Sequence, residues 1–426
     1  MKSLDRKLVD IRLNPDSRAF IIADAKDADM AFGVRAPGPR YYLSGVGERP
    51  ARFSPEIWNR EEFNYRNLPE FLGIIREIVR QRVIDIMLMS AYVNELLAIK
   101  EGLFEHSNIT PAARANDATD IWAIRHGCYT KEPSQPFRST SIDYIQCGQS
   151  ECDPNQEKMP GADLGLYSMT FVNDLVHDKR SLEAFRVFRE EAEQKRFRYF
   201  LEVFDPNVPT DIPAEKLGEF INDNIIRSLA GVTEAGRPLF LKIAYHGPRA
   251  MEELTQYDPN VVVGILGGSA GTTYDAFRLI HDAQKYGARV ALFGRKINNA
   301  EHQLAFIEML RAITDGRIDP LEAVYAYHGI LQERNIRPNR SLEEDTQLTD
   351  RVMNCDGTAP RRKTVVGVLS KPSGSDLSSE TEVASSSRSD ASTAWPVNEA
   401  GNPDFTSMSP AERRVYDRHR LKRTFG

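Results

Sequence analysis

The feature that most constrains this chain is an alternation. Short apolar runs recur at residues 19–23, 83–90, 120–125, 164–171, 199–204, 239–245, 261–266 and 289–293. Each is too short for a buried helix, and most are rich in Ile, Val, Leu and aromatics. Continuous runs of this length suit parallel strands covered on both faces. Longer stretches lie between them, as at 68–81, 181–194, 214–229, 272–286 and 300–313, with apolar residues at three- and four-residue spacing. That spacing gives a helix one buried face. Strand then helix, eight times over, predicts an α/β fold of the (β/α)8 TIM-barrel kind. A doubly wound open sheet is the alternative that the count of eight disfavours. The third repeat is irregular. Residues 127–161 hold prolines, glycines and two cysteines without a clear helix, so the sequence predicts a long βα loop over the top face, with 139–146 a candidate extra strand. Residues 33–60 read as a second loop.

The barrel is expected to close near Gly316, with one or two helices around 320–334. This sets three segments: a barrel over 1–335, a disordered Ser-rich linker over 336–408 and a short basic helix over 409–426. Ten serines fall between Ser370 and Ser392. Such a stretch buries too little to offset its ordering entropy. Ser409-Pro410-Ala411-Glu412 has the form of a capping box with proline at the first helical position.

The charge balance excludes some classes. A formal net charge of -6 over 426 residues gives no reason to expect a nucleic-acid or anionic-membrane partner. No run reaches the length of a membrane span, and no apolar leader follows the N-terminus, so a cytoplasmic protein is expected. Cys128, Cys147, Cys152 and Cys355 are too few for a disulfide framework and lack the clustered partners of a zinc site, so free thiols and no metal are expected.

Polar residues inside apolar strands point to chemistry, because function in this fold gathers at the carboxyl ends of the strands. Lys242 lies within Leu239-Phe240-Leu241-Lys242-Ile243-Ala244. A desolvated lysine has a lowered pKa, and a neutral amine attacks carbonyls. The alternative is a lysine that snorkels or pairs with a carboxylate. Glu202, one strand earlier, could shuttle the protons of such a reaction, or could simply pair with Lys242 or Arg125. Asp24 is a third candidate, as a relay or as a loop cap. Arg125 is counted with the substrate-binding residues. Gly267, Gly268 and Ser269 follow the seventh strand, and Gly294 and Arg295 follow the eighth. Loops at these places form the usual phosphate site of the fold, although a glycine-rich turn also arises from tight packing alone.

These residues resemble the class I, Schiff-base aldolases that include tagatose-1,6-bisphosphate aldolase and archaeal-type fructose-bisphosphate aldolase. The likeness runs from about Phe20 to Asn299. Leu241-Lys242-Ile243-Ala244-Tyr245-His246-Gly247 looks like the family's sixth strand. The resemblance implies that Lys242 forms the Schiff base, that Glu202 transfers protons and that Asp24 is the first-strand aspartate. It implies that Gly267, Gly268, Ser269, Gly294 and Arg295 hold phosphate. Two features depart from the pattern. The stretch 164–171 lacks the fourth-strand lysine of the tagatose-type enzymes, and Phe204 stands near the tyrosine of the archaeal-type ones. The reading is therefore a metal-independent lyase with no cofactor, acting on a phosphorylated ketose or related sugar phosphate. A related Schiff-base transferase and a non-catalytic sugar-phosphate sensor are the rivals. Family analogy also allows a homo-oligomer.

Overall fold

The structure, a computed structural model, describes residues 1–14, 16–27, 66–122, 124, 127–267 and 271–349, the backbone of 36–39 and 65, and residues 396, 407, 409, 412, 415 and 416. The chain divides into two compact units, Met1–Arg361 and Arg362–Gly426. In the second unit, the backbone N–H of Ser409 donates to Glu412 and that of Glu412 to the Ser409 hydroxyl, the reciprocal bonds of a capping box.

The first unit is a (β/α)8 barrel. Its parallel strands are β1 (Ile21–Ala25), β2 (Ile86–Met89), β3 (Thr110–Arg114), β4 (Leu164–Thr170), β5 (Arg198–Phe204), β6 (Leu241–Ile243), β7 (Val263–Gly267) and β8 (Val290–Phe293). Each pairs with the next, and β8 closes back onto β1. Outside lie α2 (Leu68–Gln81), α3 (Ala91–Asn94), α4 (Ile142–Cys147), α5 (Leu175–Gln194), α6 (Leu217–Ala230), α7 (Pro248–Tyr257), α8 (Thr273–Lys285), α9 (Arg295–Asn299), α10 (Gln303–Thr314), α11 (Pro320–Glu333) and α12 (Leu342–Asp345). The first helix, α1 (Ser3–Leu13), seals the amino ends of the strands. Its Leu4 and Leu8 join Ile21, Ala23, Ile86, Leu164, Phe200, Phe240 and Val290 in one cluster, and its Asp5 pairs with Arg198 at the start of β5.

That cluster is the barrel interior. The alternate strand residues Ile22, Met87, Tyr167, Leu201, Ile243 and Phe293 belong to the larger cluster shared with the helices. Because successive strand side chains point to opposite faces, the two clusters fix the direction of every strand residue.

Several expectations need correction. The third strand is Thr110–Arg114, not 120–125. It reads Thr-Pro-Ala-Ala-Arg, and a proline inside a run argues against a strand. Segment 139–146 is not a strand: Ser141 caps α4 there, accepting from the Tyr144 N–H. Cys147 and Cys152 are not free thiols. Gly148 ends α4 at φ +76°, which turns the chain back, and the two cysteines form a disulfide with Cα atoms 5.8 Å apart. Cys128 is free and exposed. The linker does not begin at 336, because residues 336–349 pack on the barrel unit. Ile336 and Leu348 lie against its core, and Asp345 is buried. Most of the loop expected over 33–60, and the serine-rich part of the linker, fall outside the described residues. Among the described residues, no helix is long and apolar enough to cross a membrane.

Candidate active site

The strand register lines up one row of residues across the barrel wall. Ser168 on β4 stands beside Glu202 on β5, Glu202 beside Lys242 on β6, and Lys242 beside Gly264 on β7. Glu202 and Lys242 share strand parity with Phe200 and Phe240, which stack inside the barrel, so the row faces the interior. Lys242 Nζ lies 2.5 Å from Glu202 Oε1. The Ser168 hydroxyl donates to Glu202 Oε2 at 2.7 Å. Both charged side chains are buried, at 8% and 2% exposure. Gly264 leaves the other flank of Lys242 without a side chain. A Cβ there would come within 2.7 Å of the Leu241 carbonyl oxygen and of Val290 Cβ.

The row continues into residues that sequence reasoning missed. Arg114, at the end of β3, donates to the Ser168 hydroxyl at 3.2 Å and forks onto Asp27 through Nε at 2.6 Å and Nη2 at 2.5 Å. Burial works against its charge. The pull of Asp27, Glu202 and Asp117 outweighs that and holds the guanidinium above its ordinary pKa. Asn116 fixes Ser168 from both sides, accepting from its N–H at 2.7 Å and donating to its carbonyl at 2.8 Å. Asp27, Arg114, Ser168, Glu202 and Lys242 thus form one hydrogen-bonded chain, with two carboxylates and two cations. A buried chain balanced in this way satisfies the need of each ion for a partner. Beyond the ends of β5 and β6, His246 Nε2 pairs with Asp205 Oδ1 at 2.7 Å.

Asp24 is not part of this chain. It stands in register with Met87 and Phe293, both in the cluster shared with the helices, so it points away from the axis. It bonds to Lys26 Nζ at 2.9 Å, and both side chains are fully buried. Burial raises the Asp24 pKa and lowers that of Lys26 to about 8. Arg66 lies near the pair and donates to the carbonyl of Asn298. The carboxylate that reaches the barrel mouth from this segment is Asp27, three residues on, after β1 has ended. Arg125 lies outside the described residues, and the buried arginine beside Glu202 is Arg114.

The expected phosphate loops adjoin each other, because Gly267 and Phe293 are paired in register. Gly268 and Ser269 lie outside the described residues. Gly267 has a packing reason of its own: a Cβ there would overlap the Phe293 ring. Gly294 caps α9, and Arg295 is exposed. The cation that reaches the glycine loop is Lys296, whose Nζ donates to the Gly271 carbonyl at 2.7 Å. Burial, with Arg340 adding to it, lowers its pKa to about 8. The N-terminus of α8 is already filled. The Thr273 N–H donates to Asp345 at 2.7 Å, and the Asp275 N–H to the Thr272 hydroxyl at 3.0 Å.

No family model matches the chain, and no curated protein matches its sequence. Solved structures resemble it. An archaeal fructose 1,6-bisphosphate aldolase has a TM-score of 0.49 at 13% identity, covering 74% of this chain and 100% of its own. A Schiff-base-forming fructose-1,6-bisphosphate aldolase has a TM-score of 0.48 at 14% identity, with coverage of 74% and 100%. A fructose-bisphosphate aldolase from Slackia heliotrinireducens has a TM-score of 0.49 at 11% identity, with coverage of 78% and 92%.

Proposed function

We propose that the chain is a Schiff-base aldolase acting on a phosphorylated ketose or a related sugar phosphate. The observation that carries this reading is a lysine inside the barrel, in contact with a carboxylate and bordered on one side by a glycine. The carboxylate at 2.5 Å can serve as the proton acceptor that frees the amine for attack on a carbonyl.

The chemistry follows from that contact. Lys242 passes a proton to Glu202, and its neutral Nζ adds to the substrate ketone. Glu202 returns the proton to the carbinolamine oxygen, which leaves as water, and an iminium forms. Glu202, again a carboxylate, takes the proton of the hydroxyl on the β carbon. The C–C bond electrons then pass into the iminium, releasing an aldehyde and leaving an enamine. The enamine carbon takes a proton back, and water frees the second product and the amine. A positioned acid/base of this kind contributes about 10²- to 10⁴-fold. Ser168 and Arg114 hold Glu202 in place. Gly267 at the end of β7 and Gly294, Arg295 and Lys296 after β8 border the place where a phosphate would sit.

Borohydride trapping tests the reading. The protein is incubated with phosphorylated ketoses and aldehydes, reduced, and mapped by peptide mass spectrometry. An adduct on Lys242 that is lost in Lys242→Met supports it. Sugar-phosphate binding with no adduct on any lysine leaves a binding protein in its place.

A further inference from the structure

Proton transfer sets which way a substrate lies across the row at Lys242. In the proposed cleavage the β-carbon hydroxyl gives its proton to Glu202. The half that leaves as an aldehyde therefore extends from Lys242 toward β5 and β4, and not toward Gly264 on β7. The wall on that side is made of inward-facing residues. Ser168 and Thr170 share the parity of Leu164 and Leu166, which lie in the interior cluster. Thr170 stands in register with Phe204 at the carboxyl ends of β4 and β5. At the rise of a strand it lies about 7 Å beyond Ser168, the reach of a short hydroxyaldehyde.

A carboxylate waits at that distance. The Thr170 hydroxyl donates to Asp120 Oδ2 at 2.7 Å, and the hydroxyl of the buried Ser134 donates to Asp120 Oδ1 at 2.8 Å. The Ser134 N–H is held in turn by Asn207 Oδ1, just after β5, at 3.2 Å. The stretch before Asp120 is also tied down. Asp117 and Ala118 pair antiparallel with Phe137 and Pro136, and the Thr119 N–H donates to the Gln135 carbonyl. Asp120 itself is half-buried. Two hydroxyls fix its carboxylate, and each oxygen keeps a lone pair for a further donor. Among the described residues, no cation pairs with it. Arg114, on the same side, is already matched by Asp27, Glu202 and Asp117.

We propose that Asp120 selects the aldehyde half of the substrate. It accepts a hydroxyl of an uncharged hydroxyaldehyde and repels an aldehyde that carries phosphate or carboxylate. The substrate is then a ketose without an anionic group on its leaving half. In the synthetic direction the enamine carbon attacks the aldehyde carbon, and the carbonyl oxygen takes the proton from Glu202. Water then hydrolyses the iminium to the ketose and the free amine. The inference rests on the Schiff-base reading of Lys242, and not on the glycine loop after β7.

The test uses the full chain in the synthetic direction. Dihydroxyacetone and its phosphate are the donor ketones, and glyceraldehyde and glyceraldehyde 3-phosphate are the acceptors. Ketose formation gives kcat/KM for each acceptor, and borohydride trapping of the donor reports separately on Lys242. The parent is expected to prefer glyceraldehyde by roughly tenfold or more, because a like charge set against a fixed carboxylate is disfavoured. Asp120→Asn removes the charge and keeps the shape and a hydroxyl acceptor. It is expected to bring the two acceptors to within roughly threefold of each other. A parent that prefers the phosphorylated acceptor overturns the inference whether or not the variant folds. An unchanged ratio in folded Asp120→Asn overturns it as well. So does the absence of ketose from either acceptor when the donor is trapped on Lys242. In all three cases the Lys242 adduct leaves the Schiff-base reading standing, whereas no donor adduct on any lysine overturns both.

Discussion

Lys242 and Glu202 face each other across β6 and β5 at 2.5 Å because the two strands run in register at that residue pair. Among the described residues, the other bond to the Glu202 carboxylate comes from the Ser168 hydroxyl. Glu202→Gln separates the roles. It keeps the shape and the Ser168 contact but cannot accept a proton. The turnover number should fall by about 10²- to 10⁴-fold. Borohydride should still trap an adduct on Lys242, more slowly. Unchanged turnover in Glu202→Gln would remove Glu202 from the proton path.

Arg114 holds the far end of the same chain through two bonds to Asp27 and one to Ser168. Arg114→Met leaves Asp27 without its partner, a change that typically costs about 3–5 kcal/mol in a buried pair. Urea unfolding measures it. Arg114→Lys keeps the charge and loses the fork. That variant should fold, with KM near the parent value and a lowered turnover number, since Glu202 is then positioned less firmly. A rise in KM alone would place Arg114 in substrate binding instead.

The sequence showed the barrel through its apolar runs and showed Lys242 because five apolar residues flank it. Glu202 was visible for the same reason. Arg114 was hidden because its strand, with Pro111 and two alanines, has little apolar signal, while Asp120-Ile121-Trp122 nearby has more. Asp24 was misread because direction depends on register. A two-residue slide of β1, from 19–23 to 21–25, leaves parity unchanged, but only the pairing with Met87 and Phe293 shows that even-numbered residues face the helices. The packing of residues 336–349 was hidden because their contacts with Thr272, Thr273 and Asp275 join residues more than 70 positions apart. No local pattern encodes them.

The Asp24–Lys26 pair makes a separate prediction about stability. Both groups are shifted against their charged forms by burial. Lys26→Met alone strands Asp24 and should cost about 3–5 kcal/mol, whereas replacing both with apolar residues should be close to neutral or stabilising. The Schiff-base chemistry should survive the double change, since the pair faces away from Lys242. Loss of Lys242 trapping in a well-folded double variant would return Asp24 to the active site.

The disulfide closes a loop with a sequence separation of 5. Chain-entropy arguments give such a loop about 2 kcal/mol, with the entropic account itself model-dependent. It tethers the stretch between α4 and β4, where Gly161 bonds to the Gln146 carbonyl, near the amino end of β4 and away from the row at Lys242. Replacing both cysteines with serine should lower the unfolding midpoint and leave turnover unchanged. Titration of the native protein's thiols is the direct check: Cys147 and Cys152 should be silent until a reductant is added, and prompt reaction of both would remove the bridge.

Acid should release residues 341–349, which bond to the start of α8 through Asp345, Gln347 and Thr349, before the barrel unfolds. Burial works against the Asp345 anion, but the bonds from His328 and the Thr273 N–H outweigh it and hold the carboxyl below its ordinary value of 3.8. A depressed carboxylate binds fewer protons folded than unfolded. Its contribution is therefore complete above the ordinary value and is lost as pH falls through the folded one. The charged neighbours around it are Asp275 on α8, His328 on α11, Lys296 on α9 and Arg340 just before α12. Hydrogen exchange at 341–349 should thus rise steeply below about pH 4 relative to the barrel strands, after correction for the intrinsic pH dependence of exchange. In Asp345→Asn that extra rise should be absent, since the variant has no proton to take up there. The same acid rise in both proteins would assign the release to some other carboxylate, with Asp275 the nearest.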